Sequence, residues 1–133
     1  LNDITVLNSL EEIKKNNYHF INLGSVIQYV EDYKLTLNSL IDTAAGYIFF
    51  TAQTFYEKKA NKKENIIVKQ VNILPQVNFC YFFEYEPFLN IFKVKKFEPV
   101  FKVLNFTDKV NYNNFNEKYG RIEYYDLLIK KMS

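Results

Sequence analysis

The acidic side chains that could do chemistry are few, and one pair has a useful spacing. Glu84 and Glu86 lie two residues apart in an aromatic run, so in a strand they share a face. Two carboxylates on one face can work as a general acid and a general base. The same spacing is more typical of a solvated strand edge, and we predict no catalytic residue there.

The remaining reactive side chains are single. His19 and Cys80 are the one histidine and the one cysteine of the chain, which excludes an internal disulfide and a multi-cysteine zinc site. Cys80 lies between aromatic residues, where packing in the core is expected. The chain contains no nucleotide-binding, serine-hydrolase or metalloprotease motif. The sequence therefore predicts no enzyme activity, no metal and no cofactor.

Basic and aromatic side chains alternate late in the chain, and this pattern points to nucleic acid. Lysines hold phosphates and flat rings stack on unpaired bases, so such a mixture suits a groove for a single strand. Rings in a chain this rich in phenylalanine are also needed to fill the core. The residues that we predict for nucleic-acid contact are Lys93, Lys95, Lys96, Phe97 and Lys102.

Apolar side chains at helical spacing fall near the end of the chain and predict a C-terminal helix over residues 117–132. This helix either plugs one end of a barrel or docks on a partner, and its surplus of apolar residues favours docking. The residues that we predict for the partner contact are Ile122, Tyr125, Leu128, Ile129 and Met132.

The elements that must position these residues are mostly strands. Residues 5–17 predict a short N-terminal helix, and Gly24 marks a bend inside a long first strand. Apolar and β-branched runs predict the strands, which are Tyr18–Val30, Leu35–Ile41, Tyr47–Tyr56, Ile66–Leu74, Val77–Glu86 and Phe97–Phe106.

Strands that follow one another without helices between them argue against a doubly wound α/β fold. We predict an all-β protein, a five-stranded OB-fold barrel with a C-terminal α-helix and a short N-terminal helix, in one domain over residues 1–133. An SH3-like barrel is the structural alternative.

Composition narrows the classes of partner. The chain has 133 residues, 48% hydrophobic and 18% aromatic, which suits one domain with one core. Its 17 basic and 15 acidic residues leave a net charge of only +2, so nucleic-acid contact requires a local patch. No run of 18 apolar residues is present, and we expect no membrane contact.

The first half of the chain resembles a known family. The segment from Phe20 to Tyr29, FINLGSVIQY, followed by Leu35-Thr36-Leu37, is similar to the first hairpin of small OB-fold subunits. The best match in spacing is the small subunit of the telomere-capping CST complex, including its ciliate counterpart in the telomerase holoenzyme. The small and middle subunits of replication protein A share this plan. Ser25 stands where the family has a basic residue after the strand glycine.

The resemblance implies a non-enzymatic subunit in the nucleus, at the telomere. Its terminal helix would pack on a larger OB-fold subunit in a heterodimer or heterotrimer and would support the binding of single-stranded telomeric DNA. No small-molecule substrate is implied. The alternative functions are an accessory protein of a ribosomal or organellar RNA–protein assembly, and an enzyme of unrecognised type.

Overall fold

A computed structural model describes residues 4–56, 65–73, 75–105, 115 and 120–133. Helices and strands alternate through much of this chain. In chain order the elements are α1 (Leu10–Ile13), β1 (Tyr18–Gly24), a 3₁₀ turn (Ile27–Tyr29), α2 (Tyr33–Thr43), β2 (Ala44–Tyr56), β3 (Ile66–Ile73), β4 (Gln76–Glu84), α3 (Tyr85–Lys93), β5 (Phe97–Leu104) and β6 (Ile122–Lys131).

The strands form one open, mixed sheet around β2. The hydrogen-bonded order is β3-β4-β2-β6-β5, and β1 pairs with the first part of β2. Strands β1 and β4 run parallel to β2, whereas β6 runs antiparallel to both β2 and β5. It follows that β5 is also parallel to β2. In the described residues the end strands β3 and β5 do not pair, so the predicted all-β, five-stranded OB-fold barrel is wrong.

The segment predicted as the strand Leu35–Ile41 is the helix α2. Its buried residues Tyr33, Leu37, Leu40 and Ile41 follow helical periodicity and pack into the core. Asp32 caps the helix, because its side chain accepts a hydrogen bond from the backbone N–H of Leu35 at 3.4 Å. This helix connects two neighbouring parallel strands, which a hairpin cannot do.

The predicted strand Val77–Glu86 also ends early, because α3 begins at Tyr85. Pro87 does not stop the chain there. It is the third residue of the helix, where a missing N–H costs no intrahelical hydrogen bond. Phe88, Leu89 and Phe92 form the buried side of α3.

The predicted C-terminal helix over residues 117–132 is wrong as well. Residues 117–119 lie outside the described residues, and Ile122–Lys131 is the strand β6, which lies between β2 and β5. Leu128 stands opposite Phe49 of β2 and Phe101 of β5. A strand with neighbours on both sides and one face in the core carries apolar residues at almost every position, and this pattern imitates a helix.

The larger part of the core lies on the face of the sheet where α2 and α3 pack. A smaller buried cluster lies on the other face and comprises Tyr56, Cys80, Phe82 and Ile122. Rings of β2 and α3 meet edge to face on the helix-covered face, with Phe88 at 5.4 Å from Phe50 and 5.3 Å from Phe55 between ring centroids. On the opposite face Phe20 and Phe101 remain 55% and 50% exposed. The helices therefore cover one face of the sheet and position the residues at its edges.

Candidate ligand cleft at the carboxyl edge of the sheet

The parallel strands β2 and β4 bring their carboxyl ends to one edge of the sheet. Tyr56 ends β2 and Glu84 ends β4, and these two residues are in register, whereas Gly24 ends β1 opposite Thr51, part-way along β2. In open α/β sheets ligands bind beyond the carboxyl ends of the strands. This edge is therefore where a functional site is expected.

The loop after β1 turns sharply away from the sheet. Ser25 has a positive φ of 46°, and both its backbone N–H and its Oγ donate to the carbonyl oxygen of Thr51, at 3.0 and 2.9 Å. Gln28 follows in the 3₁₀ turn and is 3% exposed. Its Oε1 accepts no hydrogen bond from any described residue. Ser25 thus anchors the loop to β2, and the side-chain oxygen of Gln28 is buried without a hydrogen-bond donor among the described residues.

The β3–β4 hairpin holds this loop from outside through tyrosine hydroxyls. Tyr29 Oη donates to Gln70 Oε1 at 3.0 Å, and Tyr81 Oη donates to the carbonyl oxygen of Glu31 at 3.2 Å. Burial raises the pKa of Tyr29, so this hydroxyl keeps its proton at neutral pH. The hairpin and the loop therefore form one wall of the edge.

A cleft of about 820 Å³ opens beside that wall. Aromatic rings form much of its lining, and carboxylates and amides add polar groups. The lining residues are Tyr33, Lys34, Asn65, Phe83, Glu84, Glu86, Pro87, Phe88, Asn90 and Ile91. Five of these ten residues are charged or carry an amide, so the cleft offers more polar groups than the mostly apolar sites that small molecules usually occupy.

A second hollow of about 270 Å³ shares Glu84 and Glu86 with the first. Lys102 enters it, and its Nζ lies 3.8 Å from the ring centroid of Tyr85 and 3.9 Å from that of Tyr125. Tyr125 Oη donates to a carboxylate oxygen of Glu123. Burial, followed by this hydrogen bond, raises the pKa of Tyr125 to about 12. Tyr125 is therefore neutral at physiological pH and does not act as a base there.

The residues predicted for nucleic-acid contact do not form one groove. Lys93 pairs with Glu86 at 3.3 Å, and Lys95 pairs with Asp42 at 3.0 Å. Phe97 is 1% exposed, so its ring is not available to stack on a base. Lys96 is an exposed residue with a positive φ of 60° between α3 and β5. Lys102 lies apart from them, between Tyr85 and Tyr125.

The residues predicted for partner docking are divided between the two faces of the sheet. Side chains alternate along a strand, so Tyr125 and Ile129 point to the helix-covered face. Ile122, Leu128 and Met132 point to the other face. Ile122 and Ile129 are buried, and Met132 is exposed. The contact of these residues with a partner stays a prediction. The helix from which it was inferred is the strand β6.

The structure places the acidic pair, the cysteine and the histidine of the sequence analysis in three different environments. Glu84 ends β4 and Glu86 lies in α3, yet both line the cleft. Cys80 is buried, and that burial raises the pKa of its thiol. His19 is exposed, with its ring 5.7 Å from that of Tyr47. Within the described ranges no group of three potential ligands could hold a metal ion.

Sequence reasoning missed Gln28, Tyr33, Tyr85 and the cleft itself. A signal for them was present: a strand ends at Gly24-Ser25, and Asp32 then stands at the N-cap position before an apolar helical pattern. Together these features mark a strand-to-helix loop of the kind that carries ligands in α/β proteins. Among the described residues, no helix is long and apolar enough to cross a membrane.

Comparison with known proteins gives no sequence-level family. No protein-family model matches the chain, and no curated protein matches it. Solved structures do match, at low identity. A putative S-adenosylmethionine-dependent methyltransferase from Listeria monocytogenes aligns with a TM-score of 0.60 at 9% identity, over 91% of this chain and 67% of that protein.

Two further methyltransferase structures are similar to this chain. An S-adenosylmethionine-dependent methyltransferase from Clostridium acetobutylicum aligns with a TM-score of 0.52 at 12% identity, over 91% of this chain and 63% of that one. The magnesium protoporphyrin IX methyltransferase of Synechocystis, with bound S-adenosylmethionine, aligns with a TM-score of 0.53 at 10% identity, over 90% and 43%. The fold is methyltransferase-like. The chain spans between 43% and 67% of the length of these three proteins.

This result overturns the predicted identity. The chain is not an OB-fold subunit of the telomere-capping or replication protein A type, because its neighbours share an open α/β sheet and are named as methyltransferases. The same finding contradicts four linked predictions, which are the non-enzymatic role, the larger OB-fold partner, the contact with telomeric DNA and the absence of a small-molecule ligand. The ribosomal or organellar alternative has no support either. The nuclear location stays an untested prediction.

Proposed function

We propose that this protein works as a methyltransferase-type enzyme chain and binds a small-molecule methyl acceptor in the cleft at the carboxyl edge of the sheet. One observation carries this proposal: in a methyltransferase-like fold, the aromatic and carboxylate cleft lies where α/β sheets bind ligands. Fold alone does not identify a function, so the proposal rests on the composition and position of this site.

The methyl donor S-adenosylmethionine is the cofactor that the fold suggests, and the residues present do not fit it by themselves. The three glycines, Gly24, Gly46 and Gly120, are isolated, so the chain has no glycine-rich turn that brings backbone close to a nucleotide-like ligand. In the loop after β1, Ser25 is bound to Thr51, and Asp32 caps α2. The proposal therefore assigns this chain the acceptor side of the transfer.

The cleft residues have roles that follow from their chemistry. Tyr33, Phe83 and Phe88 meet within the core, with ring centroids 5.0 Å apart from Tyr33 to Phe83 and from Phe83 to Phe88. All three are buried, so they form the rigid packing beneath the cleft and offer a ligand little ring surface. Asn65 donates to Tyr33 Oη at the rim. The carboxylate of Glu86 and the amide of Asn90 lie on exposed positions of α3 and can orient polar groups of a ligand.

Binding of small molecules to the whole 133-residue chain tests the proposal. A library of metabolite-sized amines, alcohols and carboxylic acids is screened by thermal shift, and each hit is measured by calorimetry. We expect saturable binding that weakens at least about tenfold in Asn90→Arg, because the new side chain fills the cleft. Asn38→Arg, on the exposed side of α2, is the matched control. No saturable hit, or hits equally affected by both variants, would contradict the proposal.

A further inference from the structure

Three aromatic rings form a cage at the smaller hollow. The ring centroids of Phe55 and Tyr85 are 5.2 Å apart, those of Phe55 and Tyr125 are 6.0 Å apart, and those of Tyr85 and Tyr125 are 6.2 Å apart. The rings come from β2, α3 and β6, so three separate elements of the fold hold them in place. All three residues line the hollow of about 270 Å³. Phe55 is buried and forms the base of the cage, while the half-buried Tyr85 and Tyr125 present their rings to an occupant.

The cage already holds a positively charged group. The Lys102 ammonium lies 3.8 Å from one tyrosine centroid and 3.9 Å from the other, well inside the range for attraction to a ring face. Lys102 belongs to β5 and is solvent-exposed, so its side chain reaches the cage from the edge and can swing out into water. The ammonium thus shows what chemistry the cage accepts.

The charges around the cage have the matching sign. Glu84, Glu86 and Glu123 line the same hollow, and Lys102 is the one cation among its eight lining residues. Glu123 accepts from Tyr125 Oη and lies 3.7 Å from Arg121. Glu86 in turn pairs with Lys93 at 3.3 Å, so Glu86 and Glu123 are largely balanced by neighbouring cations. It is the negative faces of the rings, with carboxylates at the rim, that favour a cation over an anion.

We propose that the cage of Phe55, Tyr85 and Tyr125 binds an organic ammonium group of a small-molecule ligand. This ammonium group displaces the ammonium group of Lys102 from the cage. The identification of that ligand as the methyl acceptor rests on the proposed function, because the cage and the larger cleft share Glu84 and Glu86. The binding of a cation by the cage does not depend on it. Lys102 then acts as an internal occupant that keeps the cage filled when no ligand is present.

Tetramethylammonium is the probe, followed by proton NMR on the whole chain. Ring currents of the cage should shift its methyl signal upfield in a saturable way. We expect Lys102→Met to tighten binding about three- to tenfold, because it removes the competing ammonium and keeps a similar apolar stem. Lys130→Met is the matched control, since Lys130 Nζ lies 5.8 Å from the single ring of Tyr47, away from the cage. Tyr125→Leu in the Lys102→Met background should abolish the shift.

A second measurement examines the cage without any ligand. In the unmodified protein the ε-methylene protons of Lys102 should resonate upfield of those of Lys130, because two rings face them. Equal binding of tetramethylammonium by Lys102→Met and Lys130→Met, or unshifted Lys102 protons, would overturn the proposal. Saturable binding in the cage supports it even if no compound binds the larger cleft, in which case only the proposed function fails.

Discussion

At the scale of single residues, Tyr125 has a strongly raised pKa. Burial and the hydrogen bond to Glu123 raise its pKa to about 12, against an ordinary value near 10. Below pH 10 both the folded and the unfolded chain hold this proton. Between pH 10 and 12 the unfolded chain loses it first, so the stabilising contribution of Tyr125 declines as the pH rises through this window.

The pKa of Tyr125 can be measured directly. We expect tyrosine absorbance, compared between the unmodified protein and Tyr125→Phe, to assign an ionisation near pH 12 to this residue. Glu123→Gln should lower that pKa part of the way toward 10, since burial, the larger cause, remains. Ionisation of Tyr125 near pH 10 in the unmodified protein would contradict this description of the site.

The side-chain amide of Gln53 is buried without hydrogen-bond partners among the described residues, and this predicts an effect on stability. Gln53 is fully buried in β2, and neither its Oε1 nor its Nε2 has a hydrogen-bond partner among the described residues. An unsatisfied buried amide costs about 1–3 kcal/mol. Gln53→Met keeps the volume and removes the polar atoms, so the free energy of unfolding should rise by roughly 1 kcal/mol or more.

Urea denaturation measures this effect on Gln53, and Gln76→Met at an exposed position of β4 is the control. The control should change the free energy of unfolding by less than about 0.5 kcal/mol. A loss of stability in Gln53→Met would show that its amide makes hydrogen bonds after all.

Residue types alone gave part of the site and missed its organisation. Glu84, Glu86, Lys102 and Tyr125 stood out in the sequence, and all four lie at the carboxyl edge. The sequence analysis grouped Lys102 with its chain neighbours Lys95 and Lys96, whereas the structure places Lys102 between Tyr85 and Tyr125. In a strand successive side chains face opposite ways, so closeness in sequence did not imply a common groove.

At the scale of elements, the strands with β-branched and aromatic residues were predictable, and so was the short N-terminal helix, since α1 lies within the predicted residues 5–17. The helices α2 and α3 were not predicted. The predicted Tyr47–Tyr56, Ile66–Leu74 and Phe97–Phe106 overlap β2, β3 and β5. Helix α2 was taken for a strand because Leu35 and Leu37 alternate with polar residues, although Leu35 is exposed. Strand β6 was taken for a helix because Ile122, Tyr125, Ile129 and Met132 fall at helical spacing. Tertiary packing, rather than local propensity, decides such segments.

The Asp32 cap tests the helical assignment of α2. Asp32→Ala should reduce the free energy of unfolding by about 1 kcal/mol, since it leaves the N–H of Leu35 without its side-chain acceptor. Asp42→Ala, near the carboxyl end of the same helix, is the control and should cost less. Equal effects in thermal or urea unfolding would argue against a capped helix at this position.

At the scale of the whole molecule, the uneven covering of the sheet has a measurable consequence. Phe20 and Phe101 are exposed on the face opposite α2 and α3, and the half-buried Phe49 and Leu128 lie between their strands. A contiguous apolar surface of this kind binds hydrophobic dyes. We expect the folded protein to enhance the fluorescence of anilinonaphthalene sulfonate.

The double variant Phe20→Ser with Phe101→Ser should lower that fluorescence at least about twofold while far-ultraviolet circular dichroism stays unchanged. Val94→Ser is the control, because Val94 is an exposed apolar residue outside this face, at the end of α3. Unchanged dye binding in the double variant would show that this face is covered.

The closed barrel was the natural prediction for six strands flanked by a short N-terminal helix and a C-terminal helix. The open sheet arises because α2 and α3 connect parallel strands, and this parallel order creates the carboxyl edge on which the functional proposal depends. No composition or charge balance distinguishes the two arrangements, since both bury the same phenylalanine and tyrosine residues.

The most direct measurement is a map of backbone amide shifts when a bound small molecule from the screen is titrated into the ¹⁵N-labelled chain. We expect the largest changes at amides around the cleft, at Asn65, Glu86 and Asn90, with smaller ones at Tyr85 and Tyr125. Changes centred on the exposed face at Phe20 and Phe101, with the carboxyl edge unaffected, would contradict this expectation.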